Sequence, residues 1–473
     1  MRAVSAAKLH ILFNTSAMLA MPEILSTTPP KTLNEWLTYQ QHQHVKSIDM
    51  TLERARAVAQ RLYLGKPAPL VLTVAGTNGK GSTVAFLQAL LSECGLKVGC
   101  YTSPHVLNYN ERIALIDGTK TGRWVSDAEL INAFERIESA RNQIPLTFFE
   151  YATLAAWLIF SASDLDAVIL EVGLGGRLDT VNLIDADGVV LTTVDLDHQE
   201  YLGNTRGLIG AEKAGVFRVL QKAVYADANP VPEVLKIAQL IGTELIRPRR
   251  DYHFHSYQTD WRFQFRDAAE LILPKPKLAA PCQLDNAAAA IALLYALAER
   301  VPQLNGEVIA RALLCAHVPG RLALVGENPA IYLDVAHNPQ AAHSLAVWLH
   351  AHPCLGRTLA VFGALEDKDV LGVTAELKNA IHHWYLAGLE GESPRGLSAM
   401  ALAARIRGAT AGHYDSFNEP STALDAAISQ AQPGDRILMF GSFFIVAAAY
   451  RALGINEITA FGATFPPRSP TPA

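Results

Sequence analysis

Along this chain, short and nearly continuous apolar runs alternate with segments whose apolar residues recur at helical spacing. Leu70 to Val74, Lys97 to Tyr101, Asp166 to Val172 and Gly188 to Val194 are runs of the first kind. Strands buried on both faces of a parallel sheet have this pattern, because neither face meets water. Between the first two lie a glycine-rich turn, Gly76 to Gly81, and a helical pattern from Ser82 to Cys94, which together predict a βαβ unit. Earlier helices are predicted from Leu33 through Trp36 and over Leu52 to Leu62. Another opens at Ser126 with Glu129 three residues on, a capping box. The next, Phe149 to Phe160, is apolar all round and is therefore expected to be buried. Tyr252 to Leu273 alternates and predicts antiparallel hairpins, followed by two Ala-rich helices, Asn286 to Arg300 and Gly306 to Ala316.

After the segment HVPGR, His317 to Arg321, the pattern restarts. IYLDVA, TLAVFGAL, HHWYLAGL and RILMFGS read as strands separated by helical segments. Such alternation predicts a second, smaller parallel-sheet domain of Rossmann-like type. The expected fold class is α/β throughout, with a phosphate-loop domain over residues 31–318 and the smaller C-terminal domain over 319–460. Residues 1–30 are expected to be a disordered extension, with Met21 as the working start, and residues 461–473 a disordered tail. A length of 473 residues exceeds what one core usually supports and agrees with two domains.

Composition narrows the function. Half the residues are apolar and 18% are charged, a globular balance. The net charge of −5 leaves no basic excess to neutralise a run of phosphates, so nucleic acid is not an expected partner. No later stretch reaches the roughly 20 apolar residues that span a bilayer, so a membrane is not expected either. Five cysteines (Cys94, Cys100, Cys282, Cys315 and Cys354) form no CxxC pair and read as buried thiols in a reducing, cytoplasmic setting.

The strongest chemical signal is Ala75-Gly76-Thr77-Asn78-Gly79-Lys80-Gly81-Ser82. Glycines let several N–H groups turn toward an anion, and the following helix start adds partial positive charge. Lys80, expected on an exposed loop-to-helix junction, supplies a point charge for phosphates, and the Ser82 hydroxyl can reach Mg²⁺. Gly81 separates Lys80 from Ser82, which departs from the common G-x-x-x-x-G-K-[ST] spacing. Glu171 ends a buried strand ahead of GLGGRLD, where a carboxylate either holds a hard cation or caps and pairs locally. Asp195-Leu196-Asp197-His198 follows another such strand, and Ser103 a third. By composition Lys213 is a solvated helix lysine. Asp334 and His337 sit at a strand end before a helix, where they either contact a nucleotide or cap the helix. The absence of G-x-S-x-G and G-x-G-x-x-G argues against an α/β-hydrolase and a dinucleotide oxidoreductase.

GTNGKGS, TSPH, LEVGLGGRLD, DLDH, EKAG, HVPGR, LDVAHNP and a late GSF stand in the order seen in one family. The chain resembles the folylpolyglutamate synthase/dihydrofolate synthase family of Mur-ligase-like ATP-dependent amide ligases, from about Trp36 to Ala449. The resemblance implies that ATP phosphorylates a carboxylate on a pterin-linked substrate and that the amine of L-glutamate displaces the phosphate. It implies dihydropteroate and reduced folates as acceptors, and a monomeric enzyme. It also implies roles. Thr77, Asn78, Gly79, Lys80, Gly81, Ser82, Asn286, Arg321 and Asp334 would hold ATP, with His337 beside them as a candidate acceptor for the amine proton. Ser82, Ser103, Glu171, His198 and a carbamylated Lys213 would bind one or two Mg²⁺. Asp49, Met50, Thr51 and Leu52, with Thr147, Phe148, Phe149 and Leu178, would contact dihydropteroate. Three alternatives stay open: chain extension of folates only, a Mur-type ligase with another acceptor, and a nucleotide switch that ligates nothing.

Overall fold

A computed structural model describes residues 30–46, 48–407 and 414–456. The expectations for the N-terminal extension up to residue 29 and for the tail lie outside the described residues. The first sheet has eight strands: β1 (Leu70–Ala75), β2 (Val98–Tyr101), β3 (Ile113–Ile116), β4 (Gly122–Trp124), β5 (Ala167–Glu171), β6 (Gly188–Leu191), β7 (Lys222–Tyr225) and β8 (Glu244–Ile246). Their order is β4-β3-β2-β5-β1-β6-β7-β8, parallel except for the antiparallel edge strands β3 and β4. All six residues of β1 are buried because helices cover both faces. Val71 and Ala75 join a core containing helices Asp127–Arg141 and Phe148–Ala162, whereas Leu70, Leu72 and Val74 join one containing Lys80–Glu93 and Gln283–Ala296.

β9 (Tyr252–Ser256), β10 (Asp260–Phe265) and β11 (Leu271–Pro274) form the expected antiparallel sheet. The second large sheet comprises β12 (Ala323–Glu327), β13 (Ala330–Asp334), β14 (Thr358–Phe362), β15 (His383–Ala387), β16 (Tyr414–Phe417) and β17 (Arg436–Phe440). It runs β12-β13-β17-β14-β15-β16, and only β12 is antiparallel. The fold is thus the mixed α/β architecture expected.

Several details differ from the sequence reading. The helix expected from Ser82 begins at Lys80, directly after the left-handed Gly79. Strands β3, β4, β7 and β8 were not foreseen, since runs of three or four residues are too short to show a clear period. The cysteines are free but not uniformly buried: Cys100 is buried, Cys94, Cys282 and Cys354 are half-buried, and Cys315 is exposed.

Candidate active site

Strands β5, β1 and β6 are neighbours, so their C-terminal ends bring Glu171, the loop from Gly76 and Thr192 to one edge of the sheet. Ligands of open α/β sheets bind at that edge. The loop's shape requires glycine at two points. At Gly76 (φ +145°) a Cβ would lie 1.8 Å from Thr192 Oγ1, and at Gly79 (φ +86°) it would lie 2.4 Å from Asn286 Oδ1. Asn286 is itself held, its amide donating to Gln283 Oε1 at 3.1 Å. The amides of Thr77 and Asn78 donate to the Thr193 carbonyl (2.7 Å) and hydroxyl (3.3 Å), so two of the loop's N–H groups are already used internally. Those at the start of the helix, Lys80 to Ser82, have no intrahelical acceptor and are the ones left for an anion.

Two lysines converge on one carbonyl. Lys80 Nζ donates to Gly76 O at 3.0 Å and Thr77 O at 3.1 Å, and Lys213 Nζ donates to the same Gly76 O at 2.9 Å. Lys80 is therefore half-buried rather than exposed, and Lys213 is buried rather than solvated. The helix Arg206–Ala214 carries Lys213 inward because the GLGG turn packs on its backbone: a Cβ on Gly176 would sit 2.8 Å from the Lys213 carbonyl. Burial lowers the Lys213 pKa to about 7, reinforced by the charge of Lys80. Burial also lowers the Lys80 pKa, opposed by Glu171 and Asp197.

Glu171 is buried, and among the described residues its one hydrogen-bond donor is the Ser103 N–H, 3.1 Å from Oε2. Burial raises its pKa and Lys80 opposes the rise. Glu171, Ser103 and Gly81 line a cleft of about 100 Å³ that Arg321 and Phe443 also line, the guanidinium 5.4 Å from the ring centroid. A buried carboxylate with a free oxygen, beside the buried Ser82 and next to Ser103, suits a hard cation that keeps water and phosphate ligands. Among the described residues, no three His, Cys, Asp or Glu side chains gather as metal ligands. His198 lies beside Asp197, its Nε2 3.9 Å from Oδ2. Burial lowers its pKa to about 4, which keeps the imidazole neutral.

The second domain reaches the loop directly. Asn78 Nδ2 donates to Asn338 Oδ1 (3.1 Å) and Gln340 Oε1 (2.6 Å), and Asn338 Nδ2 returns a bond to Asn78 Oδ1 (3.0 Å). Asp334 accepts from the amides of Leu322 (2.8 Å) and Ala336 (2.7 Å), so it fixes the chain next to Arg321. His337 Nδ1 donates to the Val335 carbonyl at 2.8 Å, leaving Nε2 toward Asp197. Sequence reasoning quoted Asp197 and Asn338 within their motifs without giving them a role, and passed over Lys368 and Gln340. Their signal is long-range, since 171 residues separate Asp197 from Lys368. It also missed the buried Arg112, whose Nε donates to His105 Nδ1 at 3.0 Å and whose guanidinium lies over Tyr109 and Phe148.

The residues read as an acceptor wall divide. Phe149 and Met50 press on the GLGG turn, against Gly173 and Gly175, and the half-buried Leu178 leaves that turn. Phe148 instead packs edge-on to Tyr109, centroids 5.5 Å apart. Asp49 pairs with Arg54 (2.8 Å), which also reaches Glu150 (3.2 Å). Thr147 and Glu150 cap the helix Phe148–Ala162. Thr51 donates its amide to the Asp49 carbonyl at 3.1 Å, and Leu52 is the N-cap of Glu53–Arg61. Among the described residues no helix is long and apolar enough to cross a membrane.

A family model described as "Mur ligase, glutamate ligase domain" matches residues 320–443. The dihydrofolate synthase/folylpolyglutamate synthase of Escherichia coli is 42% identical over 426 residues, covering 90% of this chain and 96% of the relative. An Escherichia coli FolC structure in complex with DHPP and ADP aligns with a TM-score of 0.83 at 40% identity, covering 90% of this chain and 99% of that one. A bifunctional folylpolyglutamate synthase/dihydrofolate synthase with Mn, AMPPNP and L-glutamate bound aligns with a TM-score of 0.81 at 41% identity, covering 90% and 98%. The motif order, the sheet edge that gathers those motifs and these likenesses agree, and the chain belongs to the dihydrofolate synthase/folylpolyglutamate synthase family of Mur-ligase-like enzymes.

Proposed function

We infer that this chain joins L-glutamate to dihydropteroate, forming dihydrofolate, and to reduced folates, forming polyglutamates, with ATP as co-substrate. The observation that carries the reading is the cluster of Lys80, Lys213 and Glu171, buried charges beneath a glycine loop that the second domain touches through Asn78. In this reading residues 31–318 bind ATP and 319–460 form the glutamate-ligase domain, and the enzyme works as a monomer in the cytoplasm.

The Lys80 ammonium and the Arg321 guanidinium neutralise phosphate charge, which is the main requirement of phosphoryl transfer. The helix-start amides, with Thr77, Asn78 and Gly79 shaping the turn, orient the triphosphate, while Asn286 and Asp334 hold the nucleotide side of the cleft. Ser82, Ser103 and Glu171 would hold Mg²⁺, with His198 as a further neutral donor; the bound cation neutralises charge developing between phosphates. Lys213 meets the requirement for carbamylation: a pKa near 7 supplies neutral amine, which adds to CO₂ and releases one proton. The acyl phosphate loses phosphate as the glutamate amine attacks, and His337 Nε2 accepts the amine proton, its Nδ1–H being held by Val335. Met50, Phe149 and Leu178 supply a flat apolar wall for the pterin, with Asp49, Thr51, Leu52, Thr147 and Phe148 behind it.

The test is ADP release with Mg²⁺, ATP and L-glutamate, comparing dihydropteroate with tetrahydrofolate. Turnover with both is expected. Turnover with tetrahydrofolate alone leaves a chain-extending enzyme, and silence with both removes the substrate assignment.

A further inference from the structure

The roles above leave out Asp197, yet basic side chains of the site surround it. Lys368 Nζ lies 2.7 Å from its Oδ1, and His337 Nε2 and His198 Nε2 lie 3.6 and 3.9 Å from its Oδ2. Burial alone would raise its pKa, but contact with His337 and the charge of Lys368 hold it well below the usual carboxylate range. Lys368 and His337 belong to the second domain, in the segments that follow β14 and β13. The Lys368–Asp197 pair is nearly closed to solvent, with side-chain exposures of 7% and 11%. A buried pair of this kind forms only when both partners arrive together, since either charge left alone in the interface is costly.

Asp197 is also tied to the phosphate loop. Two residues before it, Asp195 donates its amide to Thr77 Oγ1 (3.0 Å), and Thr77 Oγ1 donates back to the Asp195 carbonyl (3.2 Å). A continuous connection therefore runs from the loop through Asp195 and Asp197 to Lys368 and His337. The Asn78 bonds to Asn338 and Gln340 make a second, separate connection between the same two bodies.

We propose that Asp197 is a positioning residue that docks the second domain onto the phosphate loop, fixing Lys368 Nζ and His337 Nε2 at the cleft in register with ATP. This rests on the ligase reading above. A carboxylate serving only as a counter-charge for Lys80 in its own domain would act without Lys368, and the losses of the two single variants would then multiply.

The experiment measures kcat and the KM values for ATP and L-glutamate in wild type, Asp197→Asn, Lys368→Met and the double variant. The radius of gyration of each ligand-free protein is measured in parallel. Each single change is expected to lower kcat on the order of 10²-fold, as a small misplacement of reacting groups does, with KM for ATP within about threefold. The double variant should be no worse than the poorer single, because one contact is removed either way. Asp197→Glu should recover part of the rate, and both single variants should be more expanded than wild type. Unchanged kcat in Asp197→Asn, or losses that multiply in the double variant, overturns the proposal. If wild type itself fails to turn over, the ligase reading falls, and the radii alone then decide whether Asp197 docks the domains.

Discussion

The phosphate-loop edge and the acceptor wall are both built from buried polar residues, but they balance their charges differently. At the loop, Lys80 and Lys213 share the single carbonyl of Gly76, and Glu171 receives one N–H among the described residues. At the wall, Arg54 bridges Asp49 and Glu150, and Thr147 completes a capping box with Glu150. Buried charge without full partnering costs several kcal/mol, so the loop edge is arranged for something that arrives with opposite charge. The wall's charges are better partnered, although burial still raises the Glu150 pKa against Arg54 and the Thr147 cap. In the proposed reading, recognition there falls to its apolar members, of which Phe149 and Met50 press on a turn of three glycines.

The sharpest way to break this contrast is Lys80→Ala. If the deficit at the loop is completed by phosphate, removing Lys80 should cost on the order of 10³ in kcat/KM. The fold should persist, because Lys80 makes only two bonds, both to carbonyls of its own loop. Near-normal turnover in a folded variant would dissolve the difference between the two regions.

How far each region was legible in the sequence follows from the range of its interactions. Strands β1, β5, β6 and β14 are continuous apolar runs because helices cover both faces, and a one-dimensional pattern records that well. The loop was readable because its glycines, Lys80 and Ser82 are consecutive. The exposure of Lys213 was not readable, because a lysine on a helix is written the same way whether its end meets water or the Gly76 carbonyl. Asp197 and Lys368 escaped for a related reason: each is an ordinary charged residue until the two sheets bring them together. At the wall, the S/T-x-x-E spacing of Thr147 and Glu150 was in plain view, but the family resemblance drew attention to ligand contact rather than to capping.

Lys213 sharpens the comparison with a smaller effect. Lys213→Ala should lose roughly 10²-fold in kcat/KM, and short carboxylates should restore part of it if a carbamate oxygen is the missing group. Full activity without rescue would remove the carbamate assignment. A pH measurement tests the burial argument separately. With a folded pKa near 7 against 10.5, the folded chain binds fewer protons than the unfolded chain between those values. Stability of CO₂-free protein should therefore rise with pH across that window, and Lys213→Met should flatten the rise. An unchanged slope in Lys213→Met would mean that Lys213 keeps its proton when folded.

The smallest expected effects lie at the acceptor wall, where paired substitutions separate its two kinds of residue. Phe149→Ala removes a ring that presses on Gly173 and should raise KM for dihydropteroate about tenfold, a stacking contribution of about 1.4 kcal/mol, with KM for ATP unchanged. Thr147→Ala removes the hydroxyl that accepts the Glu150 amide at 3.2 Å and should cost about 1 kcal/mol of stability, read from denaturant midpoints, with both KM values unchanged. The two outcomes are linked through Glu150, which also holds Arg54 and hence Asp49. A loosened cap that left the acceptor KM alone would show that this polar chain only supports the wall. A tenfold rise in that KM from Thr147→Ala, equal to the Phe149 effect, would show instead that this polar network positions the acceptor, and the wall would then work as the loop does.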